Sequence, residues 1–97
     1  MGGYVYITCS MNHSTLYTGV TSKLAARIVQ HRERYYPGSF SAKYNCKKLV
    51  YYKWFDTIVE AIVEEKRIKN GSRRKKEMLI NSMNPDWKDL YEQIKFL

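Results

Sequence analysis

Two phenols, a guanidinium, an imidazole and one carboxylate carry the chemistry open to this 97-residue chain: Tyr6, Tyr17, Arg27, His31 and Glu65. Arginine can brace the oxygens of a phosphate bidentately as charge builds on them. Glutamate can hold a hard divalent ion, Mg²⁺ or Mn²⁺, that keeps several of its own waters; one carboxylate plus substrate phosphate is a usual Mg²⁺ arrangement. Phosphodiester hydrolysis asks for an activated nucleophile, stabilised phosphate oxygens and an eased leaving group, and this set can supply each. An unperturbed tyrosine, with a pKa of about 10, is a poor base at pH 7 unless a metal or cation lowers that value. Residue type alone leaves open which of Tyr17 and His31 takes the proton.

For these five to act together, strand and helix periods must aim them at one place. Residues 4–9 and 16–20 are rich in tyrosine and β-branched side chains and read as strands. A period of two puts Tyr4, Tyr6 and Thr8 on one face and Val5, Ile7 and Cys9 on the other. In the second run Tyr17 shares a face with Gly19, opposite Leu16, Thr18 and Val20. One register of a hairpin closed by the turn Ser10 to Thr15 sets Tyr6 and Tyr17 on the same face. Thr21 or Ser22 then caps a helix from about Lys23 to Arg34. Leu24, Arg27, Ile28 and His31 fall on one side of it, at i, i+3, i+4, i+7 spacing. Arg27 and His31, taken alone, also suit residues that snorkel at the edge of that side.

Leu49 to Phe55, apolar and aromatic almost throughout, reads as a third strand buried on both faces. Asp56 or Thr57 caps a helix from about Ile58 to Asn70, ended by Gly71. Its apolar positions are Ile58, Ala61, Ile62 and Ile68, and Glu65 falls inside their stripe. A carboxylate there is costly unless something pairs with it. The candidates are a divalent cation, a hydroxyl, or a structural ion pair with Arg27 or Lys69. Ser72 caps a further helix to about Met83. Asn84-Pro85-Asp86 has the composition of another helix start, after which Trp87, Leu90, Tyr91 and Ile94 pack back on the body.

Composition narrows the partner. Lys and Arg number 17 against 9 acids, a net charge of +8. That balance favours a polyanion, nucleic acid first, though charge alone suits a merely soluble basic protein equally well. Two basic stretches offer phosphate contacts. Lys43, Lys47 and Lys48 lie in an irregular link over residues 35–48, interleaved with Tyr35, Tyr36, Phe40 and Tyr44. Those rings suit stacking on exposed bases and suit covering a small core equally well. Arg73, Arg74 and Lys75 open the helix after Ser72, where a solvated face is the other reading. No apolar run is long enough to span a membrane and no secretory signal is visible, so a cytoplasmic location is expected, with Cys9 and Cys46 as free buried thiols. Cys9, His13, His31 and Cys46 fit none of the compact zinc spacings.

The ordered set resembles a known family. Val5-Tyr6-Ile7 is followed by Tyr17-Thr18-Gly19, an arginine eight residues past Gly19 and a histidine four further on. Lys43-Tyr44-Asn45 through Leu49-Val50-Tyr51-Tyr52, Glu60-Ala61 to Glu65-Lys66-Arg67-Ile68-Lys69, and Asn84-Pro85-Asp86-Trp87 continue the match. Together they resemble the GIY-YIG nuclease superfamily, and within it the small stand-alone bacterial proteins. Tyr4 departs from the pattern, standing where the first glycine of the family name would be.

The resemblance implies an α+β fold. A small three-stranded, mainly antiparallel sheet is flanked by helices in the order β-β-α-β-α-α, with a short C-terminal helix, as one domain over 1–97. It implies a metal-dependent endonuclease acting on DNA, with branched or flapped forms as candidates and repair or recombination as the setting. Glu65 stands at the family's metal-binding position, and Tyr6 or Tyr17 contacts the nucleophilic water with His31 nearby. The rival reading is a nucleic-acid-binding module that keeps the fold without turnover.

Overall fold

Alternation along Gly3-Tyr4-Val5-Tyr6-Ile7-Thr8-Cys9 gives one strand two unlike faces, and both are covered. The computed structural model describes residues 1–33 and 45–97. In it β1 (Gly3–Cys9) is the middle of a three-stranded sheet of order β2-β1-β3, antiparallel to both neighbours. β2 spans Leu16–Thr21 and β3 spans Lys48–Phe55. Helix α1 (Leu24–Arg32) joins β2 to β3 through the intervening segment. After β3 come α2 (Ile58–Lys69), α3 (Arg73–Met83) and the single-turn α4 (Tyr91–Ile94). The arrangement is α+β, in the element order expected.

Two apolar clusters sit on opposite sides of the sheet. Val5, Ile7 and Cys9 pack with Val50, Tyr51, Ala61, Ile68 and Ile80, so α2 and α3 cover that side. Tyr6 packs with Leu24, Ala25, Ile28, Leu49, Leu90 and Ile94, so α1 and α4 cover the other. A register shift between Ile7 and Thr8 in the β1–β3 ladder leaves one extra residue in β3. That bulge turns both Val50 and Tyr51 toward α2, while Leu49 and Tyr52 face α1.

Several local expectations need correction. The strand buried on both faces is β1; β3 is an edge. Leu49, Val50 and Tyr51 are buried, but Lys53 is exposed and Trp54 is 48% exposed. The aromatic run there forms an edge-to-face row instead, with Tyr4 centred 6.3 Å from Tyr52 and 4.9 Å from Trp54. Thr21 does not cap α1 directly. Its Oγ1 accepts from Lys23 N at 3.1 Å, a turn ahead of the helix, which starts from Lys23 without a side-chain cap. Thr57 and Ser72 do cap α2 and α3, accepting from Glu60 N and Lys75 N. Ile62 lies outside the buried stripe of α2; only Ala61 and Ile68 are buried there.

Asn84-Pro85-Asp86 starts no helix. Trp87 sits at φ 53°, which breaks the run. Asn84, 5% exposed, works as a staple: Nδ2 donates to Val50 O and Lys88 O, and Oδ1 accepts from Lys88 N. The readings of residues 35–44, including Lys43 and the stacking aromatics, fall outside the described residues. No helix among the described residues is long and apolar enough to cross a membrane.

Candidate active site

The β1–β2 register fixes the first contact. Tyr6 stands opposite Gly19, and Thr8 opposite Tyr17. A methyl group on Gly19 would lie 2.4 Å from both Cζ and Oη of Tyr6. Glycine is needed here because the Tyr6 ring lies across the β2 backbone. Tyr17 is on the same face, its ring centre 6.3 Å from that of Tyr6.

Helix α1 supplies the rest. Leu24, Ala25 and Ile28 anchor it on the sheet, and His31, one turn past Arg27, is buried with them. Tyr6 Oη and His31 Nε2 are 2.8 Å apart in a buried hydrogen bond. The His31 ring stands edge-on to both phenols, 5.6 Å from Tyr6 and 5.1 Å from Tyr17, centre to centre. The Arg27 guanidinium lies near enough to the Tyr6 hydroxyl to oppose its pKa shift, and its Nη1 donates to Gln30 Oε1 at 3.3 Å. Four of the five sequence-predicted residues thus form one polar cluster inside an otherwise apolar layer.

Burial sets the protonation of this cluster. Desolvation, with the nearby Arg27 charge adding to it, lowers the His31 pKa to about 4, so the imidazole is neutral at pH 7. Desolvation raises Tyr6 far above the ordinary phenol value; Arg27 opposes that shift without overcoming it, so Tyr6 keeps its proton. In the tautomer with the proton on Nδ1, the neutral His31 presents its Nε2 lone pair to the Tyr6 hydroxyl.

Glu65 is placed elsewhere. The expectation that all five residues share one sheet face holds for four of them; α2 packs on the Val5–Ile7 side. Glu65 is not in bulk water, since its side chain is 13% exposed, and Oε2 pairs with Lys69 Nζ at 3.0 Å. Its direction follows from its neighbour. Glu64 interacts with Tyr51 and Lys53 of β3, and a further ~100° step around the helix turns Glu65 to the β2 side. Among the described residues no three His, Cys, Asp or Glu side chains converge as a metal cage.

The basic residues divide. Arg73 has structural partners: Nη1 donates to Ser14 O at 2.7 Å, Nη2 to His13 O, and Nε to Glu77 at 3.0 Å. Lys48 donates to His13 Nε2 at 2.9 Å, and the His13 ring lies 4.9 Å from that of Trp87. Both hold the β1–β2 turn in place. Lys47 is half-buried, while Arg74 and Lys75 are exposed on the first turn of α3. Reading the sequence missed Gln30, which positions Arg27. Its i, i+3 spacing from Arg27 was the available signal.

The chain matches the GIY-YIG catalytic domain over residues 2–81. A UPF0213 protein of Staphylococcus saprophyticus is 37% identical over 82 residues, spanning 80% of this chain and 93% of that protein. A UPF0213 protein of Syntrophus aciditrophicus is 34% identical over 84 residues, spanning 86% and 93%. The solution NMR structure of the UPF0213 protein BH0048 from Bacillus halodurans shares the fold, with a TM-score of 0.58 at 29% identity, covering 92% of this chain and 93% of that one.

Proposed function

The chain belongs to the GIY-YIG family, and from that premise we propose that it is an endonuclease hydrolysing DNA phosphodiester bonds with one divalent cation, Mg²⁺ or Mn²⁺. The observation that carries the reading is the buried 2.8 Å bond between Tyr6 Oη and His31 Nε2, with Arg27 and Tyr17 against it. A core without chemical duty gains little from such a set, because each polar group must be paired at the expense of apolar packing.

In this scheme a water attacking phosphorus loses its proton to the Tyr6 oxygen as Tyr6 passes its own to His31 Nε2. The oxygen–phosphorus bond forms, the bond to the departing sugar oxygen breaks, that oxygen takes a proton from solvent water, and the abstracted proton resides on an imidazolium that later returns it to solvent. Arg27 lies where it can share its charge between the Tyr6 oxygen and the phosphate oxygens, where it counts most as negative charge develops. Tyr17, half-buried on β2, lies beside the pair at the more exposed edge of the cluster.

Glu65 is the residue that would hold the cation. A single carboxylate fits a hard ion that keeps most of its waters and does not fit a tight all-protein cage, and such an ion would have to displace the Lys69 ammonium that now pairs with Oε2. Bound there, the cation would supply Lewis-acid charge to the phosphate. Branched or flapped DNA, in repair or recombination, is the proposed setting.

The test is cleavage of branched, flapped and duplex DNA with Mg²⁺ or Mn²⁺ by wild type, Glu65→Ala and Arg27→Ala. The expected result is cutting by the wild type that both substitutions abolish. Cutting that survives unchanged in both, or a wild type inert on all three forms, overturns the proposal. A second reading is favoured by the Lys69–Glu65 pair on the far side of the sheet: a DNA-binding module without turnover. Salt-dependent binding with no cleavage, and no Mn²⁺ affinity by calorimetry, would establish it instead.

A further inference from the structure

Beside the polar cluster lies a cavity that shares only Arg27 with the hydrolysis scheme. It sits where the end of β2 meets the first two turns of α1 and holds about 190 Å³. Its lining is Thr21, Ser22, Lys23, Ala26, Arg27 and Gln30. No acid is among them, and only Ala26 is apolar. Two cations and three neutral hydrogen-bonding side chains make a lining suited to an anion.

The hydrogen bonds already made sharpen that reading. Thr21 Oγ1 accepts from the Lys23 backbone at 3.1 Å, so its O–H is what it has left to give. Gln30 Oε1 accepts from Arg27 at 3.3 Å, so its NH₂ is the remaining donor. Size then limits the anion. Ligand pockets for whole small molecules begin at about 300 Å³. The smaller space here suits a phosphate and its oxygens rather than a nucleoside.

Arg27 lines this cavity and also acts on the Tyr6 hydroxyl, so it is common to the two places. A strand with one phosphate at the pair would then set a neighbouring linkage across that guanidinium. We propose that the cavity seats the phosphate adjacent to the scissile one on the same strand, with Lys23 as its charge partner and Arg27 shared between the two. The inference rests on the hydrolysis reading and adds a requirement to it: the substrate must offer consecutive phosphates.

A coupling experiment tests this on the full chain. A short single-stranded DNA carries one uncharged methylphosphonate, walked along it linkage by linkage. Binding by wild type and by Lys23→Ala is measured by fluorescence anisotropy without divalent cation. At one linkage the neutral substitution should weaken the wild type about tenfold and Lys23→Ala by less than about threefold, because that variant has already lost the charge partner. The salt dependence of Lys23→Ala on unmodified DNA should fall by about one phosphate contact. Lys23 is exposed, so the variant should fold; matched circular dichroism spectra confirm that the comparison is fair.

Equal penalties in the two proteins at every linkage overturn the subsite. Coupling at one linkage in a protein that cuts nothing with Mg²⁺ or Mn²⁺ upholds the subsite and removes the enzyme. Cutting without coupling does the reverse, and failure to bind DNA overturns both.

Discussion

Replacing Gly19 by alanine should disable the cluster from a position that bears no functional group. The added methyl would sit 2.4 Å from Cζ and Oη of Tyr6 and 2.9 Å from Cε1, whereas ordinary contact begins near 3.4 Å. The ring must withdraw by about 1 Å. Tyr6 is fully buried on the middle strand, so it has no open space to enter. Its hydroxyl is 2.8 Å from His31, and a further ångström takes the pair beyond hydrogen-bonding distance. Overpacking costs about 1–3 kcal/mol, and breaking a buried hydrogen bond with both partners left in place costs about 1–3 kcal/mol more. Removing a glycine from a strand returns roughly 0.5–1 kcal/mol, which is too little to offset this. The net loss is about 2–4 kcal/mol, or a fall in Tm of roughly 10–25 °C for a chain this small.

Thermal unfolding by circular dichroism reads the stability, and a ¹H NMR titration reads His31, whose ring shifts should change as it loses its Tyr6 partner. Tyr6→Phe removes one of the two closest atoms, so alanine at position 19 should cost less in that background, by on the order of 1 kcal/mol. A Gly19→Ala protein that melts within a few degrees of wild type and leaves the His31 ring shifts unmoved would refute the close approach of Tyr6 to β2, and with it the geometry of the site.

Three further outcomes follow from the same contacts. As pH falls, the unfolded chain protonates His31 near 6.5 while the folded chain resists until about 4. Stability is therefore fully present above pH 6.5 and drains between 6.5 and 4, by on the order of 2 kcal/mol once solvent screening is allowed for; urea titrations should show this slope in wild type and not in His31→Gln. Lys69→Ala should tighten Mn²⁺ binding several-fold in calorimetry, because Lys69 competes for Glu65 Oε2; weaker or equal binding would count against Glu65 as the cation's ligand. Arg73→Ala should lower Tm by a few degrees through the loosened Ser10–Thr15 turn while leaving the salt slope of DNA binding intact, whereas Arg74→Ala or Lys75→Ala should reduce that slope by about one contact each.

What the sequence showed and what it hid divide along physical lines. Tyr6 and Tyr17 could be paired because strand period and hairpin register are local. Arg27 and His31 could be paired because i and i+4 meet on any helix. The side of the sheet that α2 covers is not local. It depends on the connection after β3 and on which β1 side chains remain to be covered, and the Glu65 stripe looks the same on either side. The aromatic run of β3 suggested a central strand because Tyr, Trp and Phe read as apolar, yet they also serve as a half-wet edge row. Asn84-Pro85-Asp86 carried sound helix-start chemistry, and the competing use of Asn84 as a staple to Val50 lies in tertiary contacts that sequence spacing does not carry.

The alternation of β1 also decides where chemistry can occur. Tyr6 reaches the pair with His31 only by entering the apolar layer under α1, and burial there keeps the phenol protonated and the imidazole neutral. A substrate can approach the pair only where that layer opens. The half-buried residues of β2, Tyr17 and Thr21, are where that layer opens. β2 is an edge strand, and the helix that carries Glu65 packs against it from the other side of the sheet. A phosphate drawn over the β2 edge would meet Tyr17 and Arg27 from above and the carboxylate from below. On the proposed reading, the separation of Glu65 from the phenols across the sheet would come from building a two-sided site around an edge. An added strand or peptide paired along β2 should block it without touching any of the five residues.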